Sequence, residues 1–358
     1  MPATREQILD KLRTVKDPEL HRDIVSLNMV KSLEVEGTRV RLDLELTTPA
    51  CPMKDRIQTD VNAALKTIPE VETIDIEWSA QVRSSRPGGS ALPNIKNVVA
   101  VGAGKGGVGK STIAVLLAYG LHRAGAKVGL MDSDVYGPSI PTMTGIEGQQ
   151  PRVEGQMLIP PDAGGVKIMS IGFMVERDKP LIWRGPMAHG AFRQLATQTD
   201  WGDLDYLIID LPPGTGDVPL TMSQLLPLTG AVIVCTPQRV AQDDARRAIA
   251  MFRQLQIDVL GVVENMSYFI GDDGKEYDIF GKGGAQLMAE QMQVPFLGAV
   301  PINMALRENS DTGNPTANFE DDDQLASELR AVVQNLAGQI SVATAQRGGM
   351  VQPTISVS

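Results

Sequence analysis

The sequence predicts an α/β protein in which a doubly wound, mostly parallel sheet follows a small N-terminal α+β domain. Two observations carry this prediction. From Val98 onward, short apolar runs that read as buried strands alternate with glycine-rich turns and helix-compatible segments, the order expected for parallel strands joined by helices. Nearer the N-terminus, residues 40–46 alternate strictly between polar and apolar side chains, which predicts a half-exposed strand.

The boundaries of the domains follow from spacing and composition. In the N-terminal domain, residues 1–82, a helix is predicted at residues 4–15 and a second at 52–65, with a further alternating strand at 71–78. Residues 83–93 are rich in Ser, Pro and Gly, a composition typical of a flexible linker. The larger domain is predicted at residues 94–338. Residues 339–358 carry few large apolar side chains and are predicted to be a disordered tail.

Residues 104–112 fit the phosphate-loop pattern G-x-x-x-x-G-K-S/T between an apolar run and a helix-compatible segment that begins at Ile113. Glycines allow successive backbone N–H groups to point at phosphates, and the helix presents its positive end to the same anion. Lys110 is expected to reach the β- and γ-phosphates and Ser111 to ligate Mg²⁺. The larger domain is therefore predicted to be a P-loop domain whose nucleotide-binding residues are Gly104, Lys105, Gly106, Gly107, Val108, Gly109, Lys110, Ser111 and Thr112.

A second lysine, Lys105, follows the first glycine of the loop, where an ordinary phosphate loop accepts almost any residue. The loop thereby resembles the deviant Walker A loop of the nitrogenase iron protein, MinD and ParA group of ATPases. This resemblance implies that ATP is bound by a dimer and that Lys105 reaches the partner's nucleotide, as an arginine finger does. The alternative is a solvated surface lysine.

Carboxylates follow two later apolar strands. Asp132 and Asp134 come after residues 128–131, and Asp210 ends the run at 206–209, so all three are expected near the phosphate loop at the edge of the sheet. Asp210 fits a Walker B aspartate close to Mg²⁺. By resemblance, Asp134 positions the attacking water, with Asp132 as its rival. The Pro- and Gly-rich loop at 211–217 is expected to respond to the γ-phosphate.

Base recognition is predicted at Asn265, which follows another buried strand and carries an amide that can satisfy both the donor and the acceptor edge of adenine. Pro301, after the strand at 294–300, would line the same pocket. A plain turn explains Pro301 almost as well.

Longer segments resemble one family. Residues 132–139, 184–187, 210–217 and 264–267 are similar to those of the Mrp/ApbC proteins, which are ATP-binding iron–sulfur cluster carriers. With residues 17–20 and 47–52, the N-terminal domain resembles the small domain of iron–sulfur assembly factors. The resemblance implies a slowly hydrolysing homodimer that carries a labile [4Fe–4S] cluster to apo iron–sulfur proteins and works with assembly factors.

The chain departs from this family at the expected cluster site. Most members have a C-x-x-C pair shortly after the Glu-Asn-Met segment, whereas residues 268–275 here contain no cysteine. Of the two cysteines in the chain, Cys51 lies in a polar turn near a helix start, where N–H groups are expected to lower the pKa of its thiol. Cys51 is therefore the candidate cluster ligand. Cys235, within an apolar strand, is predicted to be buried.

Composition restricts the partners. A net charge of −10 and a pI of about 4.9 disfavour nucleic-acid and acidic-membrane binding. No apolar segment is long enough to cross a bilayer and the N-terminus lacks a signal core, so cytoplasm is the expected location. Two function classes stay open beside cluster carriage. One is a MinD- or ParA-like localising switch, although residues 325–347 lack a basic amphipathic face. The other is an ATP-gated adaptor without its own cluster.

Overall fold

A computed structural model describes residues 3–85, 92–135, 137–174, 185–214, 217–271, 273–320 and 323–348. The N-terminal domain packs two helices on one three-stranded sheet. Its elements are α1 (Arg5–Leu12), β1 (Val30–Glu36), β2 (Arg39–Leu46), α2 (Lys54–Leu65) and β3 (Thr73–Ala80). Strand β2 is central, antiparallel to β1 and parallel to β3. Its inward-facing residues, Val40, Leu42 and Leu44, are at most 1% exposed. The apolar residues of the alternating sequence are therefore the ones that point into the core.

The larger domain is built on a sheet of nine strands within the described residues. Its strands and a separate two-stranded hairpin are β4 (Ile95–Gly102), β5 (Val128–Asp132), β6 (Arg152–Glu154), β7 (Met157–Ile159), β8 (Asp162–Ala163), β9 (Val166–Ser170), β10 (Leu204–Asp210), β11 (Gly230–Cys235), β12 (Val259–Ile270), β13 (Glu276–Tyr277) and β14 (Phe296–Ile302). The order is β13-β12-β11-β4-β10-β5-β9-β8, with β14 paired to β12, while β6 and β7 form the hairpin. Within the nine-stranded sheet, neighbouring strands are parallel except for β12 with β13 and β8 with β9, so the predicted mostly parallel sheet is confirmed.

Helices connect these strands and cover the sheet. They are α3 (Lys110–Arg123), α4 (Ile140–Met143), α5 (Gly185–Thr197), α6 (Asp217–Leu225), α7 (Arg239–Gln254), α8 (Gly284–Met292), α9 (Met304–Thr312) and α10 (Gln324–Gly348), with 3-10 turns at Ile171–Met174 and Pro315–Phe319. Strands β4, β10 and β11 are buried along almost their whole length, as parallel strands covered on both faces must be. No described helix combines the length and apolarity needed to span a bilayer.

The C-terminal tail differs from its prediction. Helix α10 continues through Gly348, so residues 339–348 are helical, because Ile340, Ala343 and Thr344 pack against the large domain and are 2%, 8% and 6% exposed. The apolar residues of this segment do not form a face that would predict the helix from the sequence. The remaining tail, residues 349–358, lies outside the described residues.

The predicted flexible linker is also partly wrong. Ser85 is 8% exposed, and its hydroxyl lies 2.9 Å from that of Thr229. The buried amide of Asn97 on β4 donates to the carbonyl of Arg83 and accepts from Thr344 on α10. Long-range hydrogen bonds therefore anchor the first linker residues and the last helix to one strand. Linker residues 86–91 lie outside the described residues.

The N-terminal domain contacts the large domain through the loop after β2. The hydroxyl of Tyr206 on β10 donates to Oγ1 of Thr48 at 3.1 Å, and Thr47 donates to Ser341 on α10 at 3.2 Å. Ala50 is 5% exposed and belongs to the core of the large domain. Near it, a methyl group on Gly338 would lie 2.1 Å from the carboxylate of Glu19. The two domains therefore share a packed contact.

Candidate functional site

The phosphate loop lies between β4 and α3, at the carboxyl edge of the sheet. Helix α3 begins at Lys110, earlier than the predicted Ile113, and follows Gly109, whose φ of 80° few other residues adopt. The first turn of α3 has backbone N–H groups without intrahelical partners, and these groups favour an anion. The local fold therefore provides the geometry that the sequence pattern predicts.

Two glycines of this loop are fixed by close neighbours. A methyl group on Gly104 would lie 2.2 Å from the backbone carbonyl of Asp244 on α7, and one on Gly109 would lie 2.1 Å from Nδ2 of Asn265. Such distances are far below van der Waals contact. A larger side chain at either position would therefore displace the loop or the element behind it.

The polar centre of the site consists of Lys110, Ser111 and Asp210. Lys110 Nζ lies 2.5 Å from Oδ1 of Asp210, and the hydroxyl of Ser111 donates to Oδ2 of the same carboxylate at 2.6 Å. Burial raises the pKa of Asp210, and the ammonium of Lys110 acts in the opposite direction. The structure thus brings the predicted Walker A lysine, the predicted magnesium-binding hydroxyl and the predicted Walker B aspartate together.

Asp132 and Asp134 differ in what their carboxylates can do. Asp132 is fully buried and accepts hydrogen bonds from the N–H of Asp134, the N–H of Ile140 and the hydroxyl of Ser170. Burial, followed by the charge of Asp210, raises the pKa of Asp132 to about 7. Asp134 keeps 11% of its side chain exposed and lies 3.7 Å from Lys110. The geometry therefore favours Asp134 over Asp132 for contact with a ligand.

Ser170 is a neighbour of Asp132 that the sequence did not indicate. Its hydroxyl reaches Asp132 from β9, the strand on the far side of β5. No motif contains it, and only the pairing of β5 with β9 places it beside the aspartate.

Lys105 is half-buried and forms no ion pair with the residues that the structure describes. Its charge acts on Cys235, whose thiol is 1% exposed and donates to the carbonyl of Thr236. Burial raises the pKa of this thiol to about 12, Glu264 adds to the increase and Lys105 opposes it. Cys235 is thus a buried residue next to the loop, as its apolar strand predicts.

Asn265 and Pro301 lie together in a cavity of about 960 Å³ beside the phosphate loop. Thr112, Met266, Ile302 and Met304 are among the other lining residues. The Asn265 amide donates to the carbonyl of Val108 at 2.9 Å, so part of its donor capacity is used within the protein. The amide nitrogen carries two hydrogens, so one donor and the oxygen remain for a base, and the recognition of adenine by Asn265 stays a prediction.

Cys51 is half-buried and packs against the core of the N-terminal domain rather than lying in an open turn. Burial raises the pKa of its thiol to about 11, while the N–H groups of Met53 and Lys54 act in the opposite direction. The expected lowering of this pKa is wrong, because burial outweighs the N–H groups and the charges of Glu19 and Asp17 add to the increase.

The segment that lacks the C-x-x-C pair begins on β12, which pairs antiparallel with β13, and its residue Asp272 lies outside the described residues. Gly271 donates to the carbonyl of Lys275, and the hydroxyl of Tyr277 donates to the carboxylate of Asp273. Within the described residues there is no group of three or more His, Cys, Asp or Glu side chains arranged to hold a metal. Of the predicted motif residues, Tyr136, Arg184 and residues 215–216 lie outside the described part of the chain.

Two protein-family models match this chain. Residues 94–337 match the family described as NUBPL iron-transfer P-loop NTPase, and residues 5–76 match that described as iron-sulfur cluster assembly protein. The chain belongs to the NUBPL iron-transfer P-loop NTPase family. It is 50% identical to the iron-sulfur cluster carrier protein of Deinococcus radiodurans over 95% of this chain and 96% of the relative. It is 45% identical to that of Synechocystis over 95% of this chain and 99% of the relative.

A solved structure supports the same assignment for the large domain. The nucleotide-binding protein of Archaeoglobus fulgidus in complex with ADP is 40% identical, with a TM-score of 0.57. The match covers 65% of this chain and 92% of that one. The P-loop NTPase family thus extends over the phosphate loop, the carboxylates and the cavity that contains Asn265.

Proposed function

We propose that this protein is a homodimeric ATPase that carries an iron–sulfur cluster as cargo and delivers it to apo iron–sulfur proteins. The observation that carries the ATPase part is the convergence of Lys110, Ser111 and Asp210 at the start of α3. The observation that carries the cargo part is membership of a family of iron-transfer NTPases, with relatives named as cluster carriers at up to 50% identity.

The residues at the site fit ATP with Mg²⁺. Gly107 leaves room in the loop, since nothing lies within 4 Å of an added methyl group, and the Ser111 hydroxyl and Asp210 carboxylate provide the hard oxygens that Mg²⁺ prefers. When bound, the ion would neutralise phosphate charge during transfer. Lys110 would hold the β- and γ-phosphates, and Asp134 would orient the attacking water. Asn265 and Pro301 would border the adenine.

Lys105 is proposed to act across the dimer. It carries a positive charge at the phosphate loop and has no ion-pair partner among the described residues. A second chain facing the same loop would bring a nucleotide with excess negative charge to it. Turnover would then require two chains, which links ATP hydrolysis to dimer formation.

Cluster binding is proposed to involve Cys51. Thiolate is the ligand that iron–sulfur clusters prefer, and Cys235 is 1% exposed. A dimer would offer two Cys51 thiolates, fewer than the usual four, so the cargo would be labile and would need a co-ligand from a partner or from glutathione. Both cysteines are free, which agrees with a reducing compartment, and we propose a cytoplasmic location.

Anaerobic reconstitution tests the cargo. The protein is incubated with iron, sulfide and glutathione, and iron per dimer is counted alongside the charge-transfer absorbance. We expect weak cluster binding that Cys51→Ser abolishes and the matched variant Cys235→Ser scarcely changes. A stable cluster that persists in Cys51→Ser would refute the assignment of this thiol.

A second candidate function is an ATP-gated adaptor that controls another protein's chemistry without cargo of its own. The lack of a cysteine pair in residues 268–275 favours it. Absence of a cluster under every reconstitution condition, with ATPase activity intact, would favour this candidate. A localising switch like MinD or ParA has less support, since neither composition nor α10 provides a basic face.

A further inference from the structure

The contact between the two domains passes through one buried hydroxyl pair. Tyr206 is 1% exposed and Thr48 is 1% exposed, and the tyrosine hydroxyl donates to the threonine oxygen at 3.1 Å. The same oxygen accepts the N–H of Ala50 at 3.3 Å. A hydroxyl oxygen has two lone pairs, so Thr48 can hold both bonds at once. The backbone immediately before Cys51 is thereby connected to strand β10 of the large domain.

Neighbouring contacts fix the rest of this loop. Thr47 bonds to Ser341 on α10, and Ala50 is packed in the core of the large domain. Burial raises the pKa of Tyr206, so its hydroxyl stays protonated and remains a donor throughout the physiological range. Cys51 follows directly and is half-buried. This thiol packs against the core of the N-terminal domain, whereas Ala50 beside it lies in the core of the large domain, so its access to solvent depends on how firmly residues 47–50 are held.

We propose that Tyr206 is a positioning residue for the Cys51 loop: through Thr48 it holds the N-terminal domain on the large domain and limits the access of the Cys51 thiol. Its importance for cluster transfer rests on the proposed role of Cys51 as a cargo ligand. The contact itself requires neither cluster nor nucleotide. The test can therefore fail or succeed independently of cluster carriage.

The test measures the rate at which iodoacetamide alkylates Cys51 in the full chain, by mass spectrometry, in a Cys235→Ser background at fixed pH. Tyr206→Phe removes only the hydroxyl, and Thr48→Val removes the acceptor while keeping a similar shape. The loss of one buried hydrogen bond should accelerate alkylation by about five-fold in each variant. Because the two groups act on one bond, the double variant should be no faster than Thr48→Val alone.

Matched controls separate positioning from general loosening. Tyr119 is also buried, at 3% exposed, and its hydroxyl donates to the carbonyl of Ala163 at 2.8 Å, away from the domain contact. Tyr119→Phe should leave the alkylation rate within about two-fold, although it removes a comparable hydrogen bond. Thr48→Ser retains the hydroxyl and should keep the slow rate. An unchanged rate in Tyr206→Phe, fully additive effects of Tyr206→Phe and Thr48→Val, or equal acceleration in Tyr119→Phe would overturn the proposal.

Discussion

Nζ of Lys110 lies 2.5 Å from Oδ1 of Asp210, and the two side chains are 6% and 0% exposed. A buried ion pair is held by mutual attraction in a medium of low polarity, against the cost of removing both charges from water. The phosphates of a bound nucleotide would therefore interact with the ammonium group of Lys110, which also neutralises the carboxylate of Asp210. This relationship connects the stability of the domain with its capacity to bind ATP.

Lys110→Ala is expected to reduce both properties. It removes the proposed phosphate contact and leaves the buried carboxylate of Asp210 without its ion pair, so the free energy of unfolding should fall by about 3 kcal/mol. ATP affinity should be lost even under conditions in which the variant is folded. Urea unfolding and fluorescent-nucleotide binding measure the two effects. As a control, Lys96→Ala breaks the 2.8 Å pair with Asp205, in which Lys96 is 40% exposed, and should cost less than about 1 kcal/mol. Equal costs would contradict the burial argument.

Lys105→Ala should separate binding from turnover. Because Lys105 is proposed to contact the partner's nucleotide, a single chain should bind ATP within about two-fold of the unaltered affinity, while dimer-dependent hydrolysis is lost. ATP turnover is measured over a range of protein concentrations, next to nucleotide binding by the same variant. If Lys105→Ala and Lys110→Ala lose ATP binding equally, Lys105 acts within its own chain.

Gly104→Ala should disrupt the phosphate loop, because its methyl group would lie 2.2 Å from the backbone of Asp244. Overpacking of this kind costs about 1–3 kcal/mol, and here it also displaces N–H groups from the phosphates. Gly106→Ala is the matched control in the same loop, since its nearest neighbour, Pro213, would be 3.9 Å away. Melting temperature and ATP affinity of both variants decide the matter. Similar losses of stability and ATP affinity in Gly104→Ala and Gly106→Ala would show that lack of space is not the reason for glycine at position 104.

Asp134→Ala should retain ATP but reduce its hydrolysis by about 100-fold or more, if this carboxylate orients the attacking water. Asp132 is a poor alternative because three donors already occupy its oxygens. Single-turnover hydrolysis of bound ATP is the measurement, since it isolates the chemical step. Unaltered hydrolysis in Asp134→Ala would return this role to Asp132 or to another group.

The sequence predicted those parts of the site that depend on local pattern. The phosphate loop, its strand and helix, and the carboxylates at strand ends are local, and parallel strands bring their carboxyl ends to one edge whatever the details of packing. This is why Ser111 and Asp210, far apart in the chain, could be assigned to one site. The order of apolar runs predicted the sheet for the same reason.

Predictions failed where a distant contact reverses a local tendency. The thiol of Cys51 follows a turn beside a helix start, yet burial in the N-terminal domain, with the charges of Glu19 and Asp17, raises its pKa to about 11. Residues 339–348 have little apolar pattern, yet Thr344 bonds to Asn97 and α10 packs on the sheet. Ser85 is ordered by Thr229 although its neighbours in sequence are typical of a flexible linker. None of these partners is near in sequence.

The stability of the protein is predicted to fall as pH rises from 5 to 7. Burial and Asp210 raise the pKa of Asp132 from an ordinary 3.8 to about 7, and burial and Asp17 raise that of Glu19 to about 7. At pH values between the ordinary carboxyl pKa and about 7, the folded state holds protons that the unfolded chain has released. The stability of the folded state therefore decreases with increasing pH and levels off above about 7.

Urea unfolding at pH 5, 6, 7 and 8 measures this slope, for which we expect a loss of about 2 kcal/mol from Asp132 between pH 5 and 7. Glu19 is partly exposed, so solvent screening makes its contribution smaller. Carboxyl groups whose pKa is lowered, such as those of Asp23 and Asp75, are already ionised in both the folded and the unfolded chain at pH 5, so they do not contribute to the slope. Asp132→Asn should flatten the slope, and Glu19→Gln should remove a separate part of it. Because slopes are compared, any constant cost of replacing a hydrogen-bond acceptor cancels. A stability that rises from pH 5 to 7, or an unchanged slope in Asp132→Asn, would show that Asp132 is ionised in the folded protein throughout this range.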